Sequence, residues 1–199
     1  MSKNYPELLK NTARALGVQN VYDELLHHYP QFVRWSGSHN PMMHQYGEGG
    51  LVRHTWEIVD IGLSTIPMLN LEEKVDRVEF YLATLFHDTG KMFDYDEVTG
   101  HEAALGDPVG TTWKSSEHKR LIYHIPRSTL IWHDIIQEFP AATCKYHNVV
   151  LHDILAHHGR REYGSPVAPK THTAWLLHLC DSISARMDDA DKLELVKWP

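Results

Sequence analysis

The chain predicts an all-α fold, a single compact helical bundle of 199 residues. Apolar residues recur at helical spacing in successive segments, strand-type alternation is scarce, and capping residues or glycines punctuate the segments. The length suits one compact domain over 1–199 with a sizeable buried core.

Tyr5 to Leu16 and Val21 to His28 are short amphipathic segments, placed in a helical extension over residues 1–48. Leu51, His54, Ile58 and Ile61 then mark one face of a helix, the first of the core at about 49–187. Asn70 with Glu73 reads as a capping box, after which Val75, Val78, Leu82 and Leu85 keep helical spacing until Gly90. Between Lys91 and His118 the chain turns polar, and Gly100, Gly106, Pro108 and Gly110 break regular structure. A loop of that length (92–118) in a compact domain is usually functional. His124, three residues after Leu121, is expected on one helix with it. Val150, Leu151, Ile154 and His157 mark a further helix ended by Gly159. Thr171 caps the last, with Ala174, Leu177, Asp181 and Ala185 on one stripe.

Composition narrows the function. The apolar fraction of 42% and charged fraction of 23% are those of a globular protein, and the net charge of −7 argues against a broad polyanion-binding surface. The two cysteines, Cys144 and Cys180, form no Cys-x-x-Cys pair, which excludes a cysteine-built zinc module. The start has no apolar signal-type core, and no stretch approaches the roughly 20 apolar residues of a membrane span. A soluble, cytoplasmic protein without a membrane partner is the expectation. Sixteen histidines stand out, because imidazole is the commonest metal ligand and acid/base group.

The chemistry centres on Leu85-Phe86-His87-Asp88-Thr89-Gly90-Lys91, where an apolar helix stops at a histidine and a carboxylate. His54 and Asp181 sit on apolar stripes of their own helices. A buried carboxylate without partners costs several kcal/mol, and a divalent cation shared with His54 and His87 would offset that. If Asp88 bridges two ions, the first takes His54, His87, Asp88 and Asp181; the second takes Asp88, His124 and one or both of His157 and His158. Mixed imidazole and carboxylate donors suit manganese, iron, nickel or zinc. Two such ions clamp the attacking and leaving oxygens of a phosphoryl displacement and lower the pKa of a bridging water toward about 7. His133-Asp134 and His152-Asp153 lack the Gly-Lys turn and read as surface or helix-packing residues, and His27-His28 as a solvated helix end. His178 is equally a support for the ligands or a plain core residue.

These motifs resemble the HD-domain metal-dependent phosphohydrolase superfamily, an all-α fold whose signature H…HD…D falls on His54, His87-Asp88 and Asp181. Within it the chain is most similar to the HD domain of bacterial 3′-to-5′ exoribonucleases and of related conjugative-element proteins. The matching stretches are Gly49 to Thr55, Leu85 to Lys91, and His157-His158-Gly159-Arg160-Arg161-Glu162-Tyr163-Gly164-Ser165-Pro166, continuing through Pro169, Thr171, Leu177 and His178 to Asp181.

The resemblance implies that the five histidines and two aspartates bind metal and that Lys91 contacts a substrate phosphate, where an ammonium would also stabilise developing charge. Arg160, Arg161 and Lys170 are candidates for other phosphates, and Glu162 for anchoring the turn or meeting substrate. The exonuclease relatives carry an OB-type module for which this chain leaves no room. With the acidic charge and the longer segment around Trp113, that favours a nucleotide or the end of a short nucleic acid as substrate. Trp113 is either a base-stacking residue on that segment or a core or hinge tryptophan. The expected activity is therefore phosphoester or phosphodiester hydrolysis by metal-activated hydroxide, with catalysis resting on Asp88 and Lys91. A di-iron oxygenase acting on a small organic substrate uses the same kind of ligand cradle, and a non-catalytic nucleotide-binding module is the third reading.

Overall fold

A computed structural model describes residues 3–41, 45–98, 113–139 and 145–193, with side chains up to residue 186. It is mostly helical. The principal helices are α1 (Tyr5–Ala15), α2 (Gln19–His28), α3 (Gly50–Met68), α4 (Arg77–Phe86), α7 (His124–Ile136), α8 (His147–Ala156) and α9 (His172–Leu193). Short helices α5 (Lys91–Asp94) and α6 (Glu117–Leu121) flank an antiparallel pair, β1 (Tyr95–Glu97) and β2 (Trp113–Ser115).

Helix α3 packs on α1, α4 and α9, while α8 packs on α4, α7 and α9. The ends of α4 and α8 are thereby brought beside the middle of α9. One cluster of buried residues joins the elements, with Tyr22, Phe32, Phe80, Tyr81, Phe86 and Trp132 among its largest members. Each such side chain contributes roughly 1.5–3 kcal/mol when fully buried. The polar tips of its aromatics are satisfied. Tyr81 Oη donates to the Leu9 carbonyl at 2.9 Å, Tyr22 Oη to that of Pro6 at 2.9 Å, and Trp132 Nε1 to that of His147 at 3.0 Å. Helices α1 and α2 and Phe32 are therefore built into the same core as the rest.

Helix α4 starts later than the sequence suggested. Asn70 takes a left-handed conformation (φ 53°) and closes α3 instead of opening α4. The Leu71 amide donates to the Ile66 carbonyl and the Asn70 amide to that of Pro67, the paired bonds of a Schellman end. Asp76 then caps α4, accepting from the amides of Val78 at 2.7 Å and Glu79 at 3.3 Å. Asn70 satisfied a start pattern, but its tolerance of positive φ served a stop. Leu121 and His124 also lie on different helices, because Tyr123 adopts φ 73° between α6 and α7.

The polar stretch after Lys91 contains more regular structure than expected, since β1 and β2 pair within it. Residues 99–112, with Gly100, Gly106, Pro108 and Gly110, lie outside the described part. Trp113 is buried on β2, edge-on to Trp35 with ring centroids 4.7 Å apart, so it is a packing residue.

Asp153 is fully buried, which the sequence reading of His152-Asp153 did not single out. Its Oδ1 accepts from Thr171 Oγ1 at 2.8 Å, and that oxygen accepts from the Ala174 amide at 2.9 Å, capping α9. Burial, with a contribution from nearby Glu79, pushes the Asp153 carboxyl up to about 8. The protonated form therefore dominates in the folded chain at neutral pH. A raised carboxyl stabilises the fold below its unfolded pKa of about 4, and that contribution is lost as pH climbs through about 8. Urea unfolding at pH 5.5 and 8.5 should show the native chain losing stability by about 3 kcal/mol more than Asp153→Asn over that interval. Parallel pH dependence of the two proteins would contradict this assignment.

Candidate metal centre

The centre forms where α4 runs out. His87 is the helical C-cap residue, its amide bonded to the Ala83 carbonyl, and Asp88 begins the turn into α5. The turn is held by the Lys91 amide on the Asp88 carbonyl and by the Gly90 amide on Ser128 Oγ at 2.8 Å. Gly90 has an ordinary φ of −62°, so its role is close approach: a Cβ there would stand 2.1 Å from the His124 carbonyl oxygen. The glycine of the motif thus lets the start of α7 press against the end of α4.

Asp88 lies at the middle of a ring of imidazoles. Its Oδ2 is 3.4 Å from His54 Nε2 and 3.3 Å from His87 Nε2. Its Oδ1 is 3.3 Å from His124 Nε2 and 3.8 Å from His157 Nε2. Asp181, one face along α9, places Oδ1 3.0 Å from His54 Nε2. Donor atoms of His54, His87 and Asp88 lie within 4.8 Å of one another, as do those of His124, His157 and His158. All seven expected ligand residues are thus brought together, three histidines and Asp88 from the ends of α4 and α8 and the other three from α3, α7 and α9.

Local bonds orient the rings. The His87 and His157 Nδ1 atoms each sit 2.7 Å from a carbonyl three residues earlier, of Thr84 and Ile154, which are free helix-end acceptors. His54 Nδ1 meets Ser184 Oγ at 2.9 Å and the side-chain amide of Gln45. His124 Nδ1 faces Asp94 Oδ2 at 3.4 Å. In each case Nε2 is left for Asp88's side of the ring, the arrangement by which outer partners fix a ligating imidazole.

Buried Asp88 Oδ1, His124 Nε2 and His157 Nε2 make no hydrogen bond among the described residues. An unsatisfied buried polar atom costs roughly 1–3 kcal/mol. Three such atoms converging on one point fit a divalent cation, and the imidazole and carboxylate donors fit a transition metal.

The protonation states suit ligation. Burial would raise Asp88 and Asp181, but Lys91 and His87 hold Asp88 well below the usual carboxylate range, and His54 does the same for Asp181. Burial lowers His157 strongly, and burial with neighbouring His124 takes His158 down to about 4, so both are neutral at pH 7. His54 is the exception. Burial alone would lower it, yet Asp181 and Asp88 raise it, so a cation there competes with a proton.

Lys91 places Nζ 2.7 Å from Asp88 Oδ2, and although burial would lower its pKa, Asp88 raises it. Both residues line a cleft of about 350 Å³ with His124, His158 and Asp181. Arg160, Arg161 and Lys170 are exposed and line neither this cleft nor the neighbouring one at Tyr163 and Arg186; Glu162 is also exposed. His178 supports the histidine cluster: its Nδ1 lies 2.9 Å from the His157 carbonyl, and its ring packs on Gly159, whose φ of 84° and missing Cβ admit it.

Sequence reasoning missed Asp94, fully buried between His118 Nδ1 at 2.9 Å and His124. It missed Gln45 and Ser184 at His54, and residues 37–40, which wall the cleft. Only Asp94 left a trace, as an acidic residue six positions after Asp88.

The sequence that builds this cluster has counterparts in known proteins. A model of the HD domain family matches residues 51–186. Among curated proteins, the 3′-5′ exoribonuclease YhaM of Geobacillus sp. (strain WCH70) is 27% identical over 151 residues, 74% of this chain and 41% of the relative. The chain thus spans less than half the length of that relative. No solved structure gave a significant match.

Asp94 should matter to metal binding through His124. Asp94→Asn should weaken Mn²⁺ binding by about 10–100-fold in calorimetric titration while the helical circular dichroism stays native. An unchanged Mn²⁺ affinity would show that His124 needs no such support. Gly90→Ala should weaken Mn²⁺ binding too, because the added methyl displaces the His124 backbone.

Proposed function

The chain belongs to the HD domain family, and on that premise we propose that it hydrolyses a phosphoester or phosphodiester bond of a nucleotide or short nucleic acid. The observation that carries this reading is Asp88: each of its two oxygens faces a separate pair of imidazoles. That placement suits a carboxylate shared by two cations, one held by His54, His87, Asp88 and Asp181, the other by Asp88, His124, His157 and His158. Divalent cations bound there supply Lewis acidity and make hydroxide accessible near neutral pH.

The chain's own residues supply the rest. The cleft at Asp88 is lined by Lys91, a cation suited to the scissile phosphate. Lys91 keeps its charge at neutral pH, because Asp88 holds its pKa up, and it would steady negative charge developing on the phosphoryl oxygens. Asp88 and His124 form the floor of the cleft and are almost wholly shielded from solvent, which strengthens electrostatic interaction at that end. In the overall reaction water oxygen bonds to phosphorus, the bond from phosphorus to the departing alcohol oxygen breaks, and that oxygen takes up a proton. The relative's exoribonuclease activity agrees with a nucleic-acid substrate. Oxygen activation on a small organic molecule leaves Lys91 without a role.

Purified protein should contain transition metal by elemental analysis and release p-nitrophenol from bis(p-nitrophenyl) phosphate with Mn²⁺, Ni²⁺ or Fe²⁺. Asp88→Ala should abolish both metal retention and turnover and leave the helical spectrum native. Lys91→Ala should lower kcat by about 10²–10³ with metal content unchanged. Oxygen-dependent turnover without hydrolysis, or full activity of Asp88→Ala, would overturn the reading.

A further inference from the structure

The part of the cleft wall outside the expected ligands has its own chemistry. It consists of Ser38, His39 and Asn40 from the segment before α3, Tyr95 from β1, Lys119 from α6, and Tyr123. Lys119 stands out. Its ammonium is half-buried, 3.1 Å from His39 Nδ1 and 4.8 Å from the centre of the Tyr95 ring. Among the described residues no carboxylate lies within ion-pair distance of it. Lys91, by contrast, is paired with Asp88 at 2.7 Å.

Several contacts hold Lys119 in place without neutralising it. The His39 ring stacks on Tyr95, 5.5 Å between centroids at 25°, and directs Nδ1 at the ammonium. Burial lowers the pKa of His39, and the lysine beside it adds to that, so the imidazole is neutral and accepts a hydrogen bond from Lys119. The Tyr95 face supplies a cation–π contact. A desolvated ammonium with one neutral acceptor and one aromatic face keeps donors for an anion from solution. Tyr123 borders the same cleft, partly exposed and held at φ 73°, an unfavourable conformation for a tyrosine that keeps its ring 4.2 Å from that of His124.

We propose that Lys119, aimed by His39 and Tyr95, is a specificity-determining residue that binds a second, non-scissile phosphate of the substrate. This rests on the phosphohydrolase reading, with the scissile phosphate at Asp88 and Lys91. The substrate class it selects is a nucleotide unit with phosphate on both sides of the ribose, the end of a nucleic-acid strand or a nucleoside bisphosphate. A cleft of about 350 Å³ is at the small end of ligand sites and holds a unit of that size rather than a duplex. The anion site thus falls to a residue outside the His157-to-Lys170 stretch, where the sequence had placed the accessory cations.

Two substrates with the same leaving group separate the possibilities: thymidine 5′-(p-nitrophenyl phosphate) and its 3′-phosphorylated counterpart. With Mn²⁺-loaded protein, the 3′-phosphorylated compound should show a KM about tenfold lower, the worth of one charge-assisted hydrogen bond. Lys119→Met should raise that KM about tenfold, to the value for the plain diester, while kcat and the plain diester's KM stay unchanged. Lys119→Arg should keep most of the discrimination. Equal KM values in the native protein, or discrimination that survives Lys119→Met, would overturn the proposal. If neither compound is cleaved, the phosphohydrolase reading fails on that result. Calorimetric binding of the same two compounds to native protein and Lys119→Met then decides on Lys119, by whether the affinity ratio collapses.

Discussion

The buried carboxylate of Asp88 is the constraint on which the rest of the structure depends. A lone carboxylate at that depth would be costly, yet it is held ionised by Lys91 and surrounded by His54, His87, His124 and His157. Bringing those residues and Asp181 within reach requires five helices to end or pass at one point. Helices α4 and α8 terminate there, α7 begins there, and α3 and α9 cross it with His54 and Asp181. The free carbonyls at the two helix ends, otherwise a liability, orient His87 and His157.

Support for this cluster comes from polar residues deep in the fold. Asp153 fixes Thr171 and with it the start of the helix that carries Asp181 and Ser184. Asp94 connects His118 to His124, while Ser184 connects His54 to Glu57 at 2.7 Å. Each support joins elements distant in the chain, so the geometry of the centre and the packing of the bundle are one problem. The segment before α3 takes part as well. Arg34 pairs with Glu97 at 2.8 Å, Trp35 meets Trp113, and His39 stacks on Tyr95, fastening residues 34–40 to the β1–β2 pair as one wall of the cleft. The family match begins at residue 51, so residues 34–40 of this wall lie before the matched region.

Much of the bundle was legible because burial enforces periodicity. The stripes on α3, α4, α8 and α9 appear where spacing put them, and Gly159 and Thr171 bound their helices as expected. Misreadings arose where one residue type serves two roles. Asn70 suits both a helix start and a left-handed stop, and the contacts of Leu71 chose the stop. Nothing local at Tyr123 announces a positive φ, so the break between α6 and α7 could not be foreseen. In the site, His54 and Asp181 were conspicuous as polar residues on apolar stripes, and His87-Asp88 as a polar pair where an apolar helix stops. Gln45, Asp94 and Lys119 were not, because an isolated polar residue in a polar segment carries no periodic signal.

By itself, the sequence determined the helical class, the faces that would be buried, and the histidines and aspartates that would be expensive to bury unless they met. Helical spacing and desolvation are local or additive quantities, so they can be read along a chain. Only the tertiary structure decided that both oxygens of Asp88 face imidazoles, that Lys119 rather than Arg160, Arg161 or Lys170 stands in the cleft, and that residues 37–40 close it. Those outcomes depend on contacts between residues up to 130 positions apart, such as His54 and Ser184. No periodicity encodes such pairs, because they are set by how whole helices pack against one another.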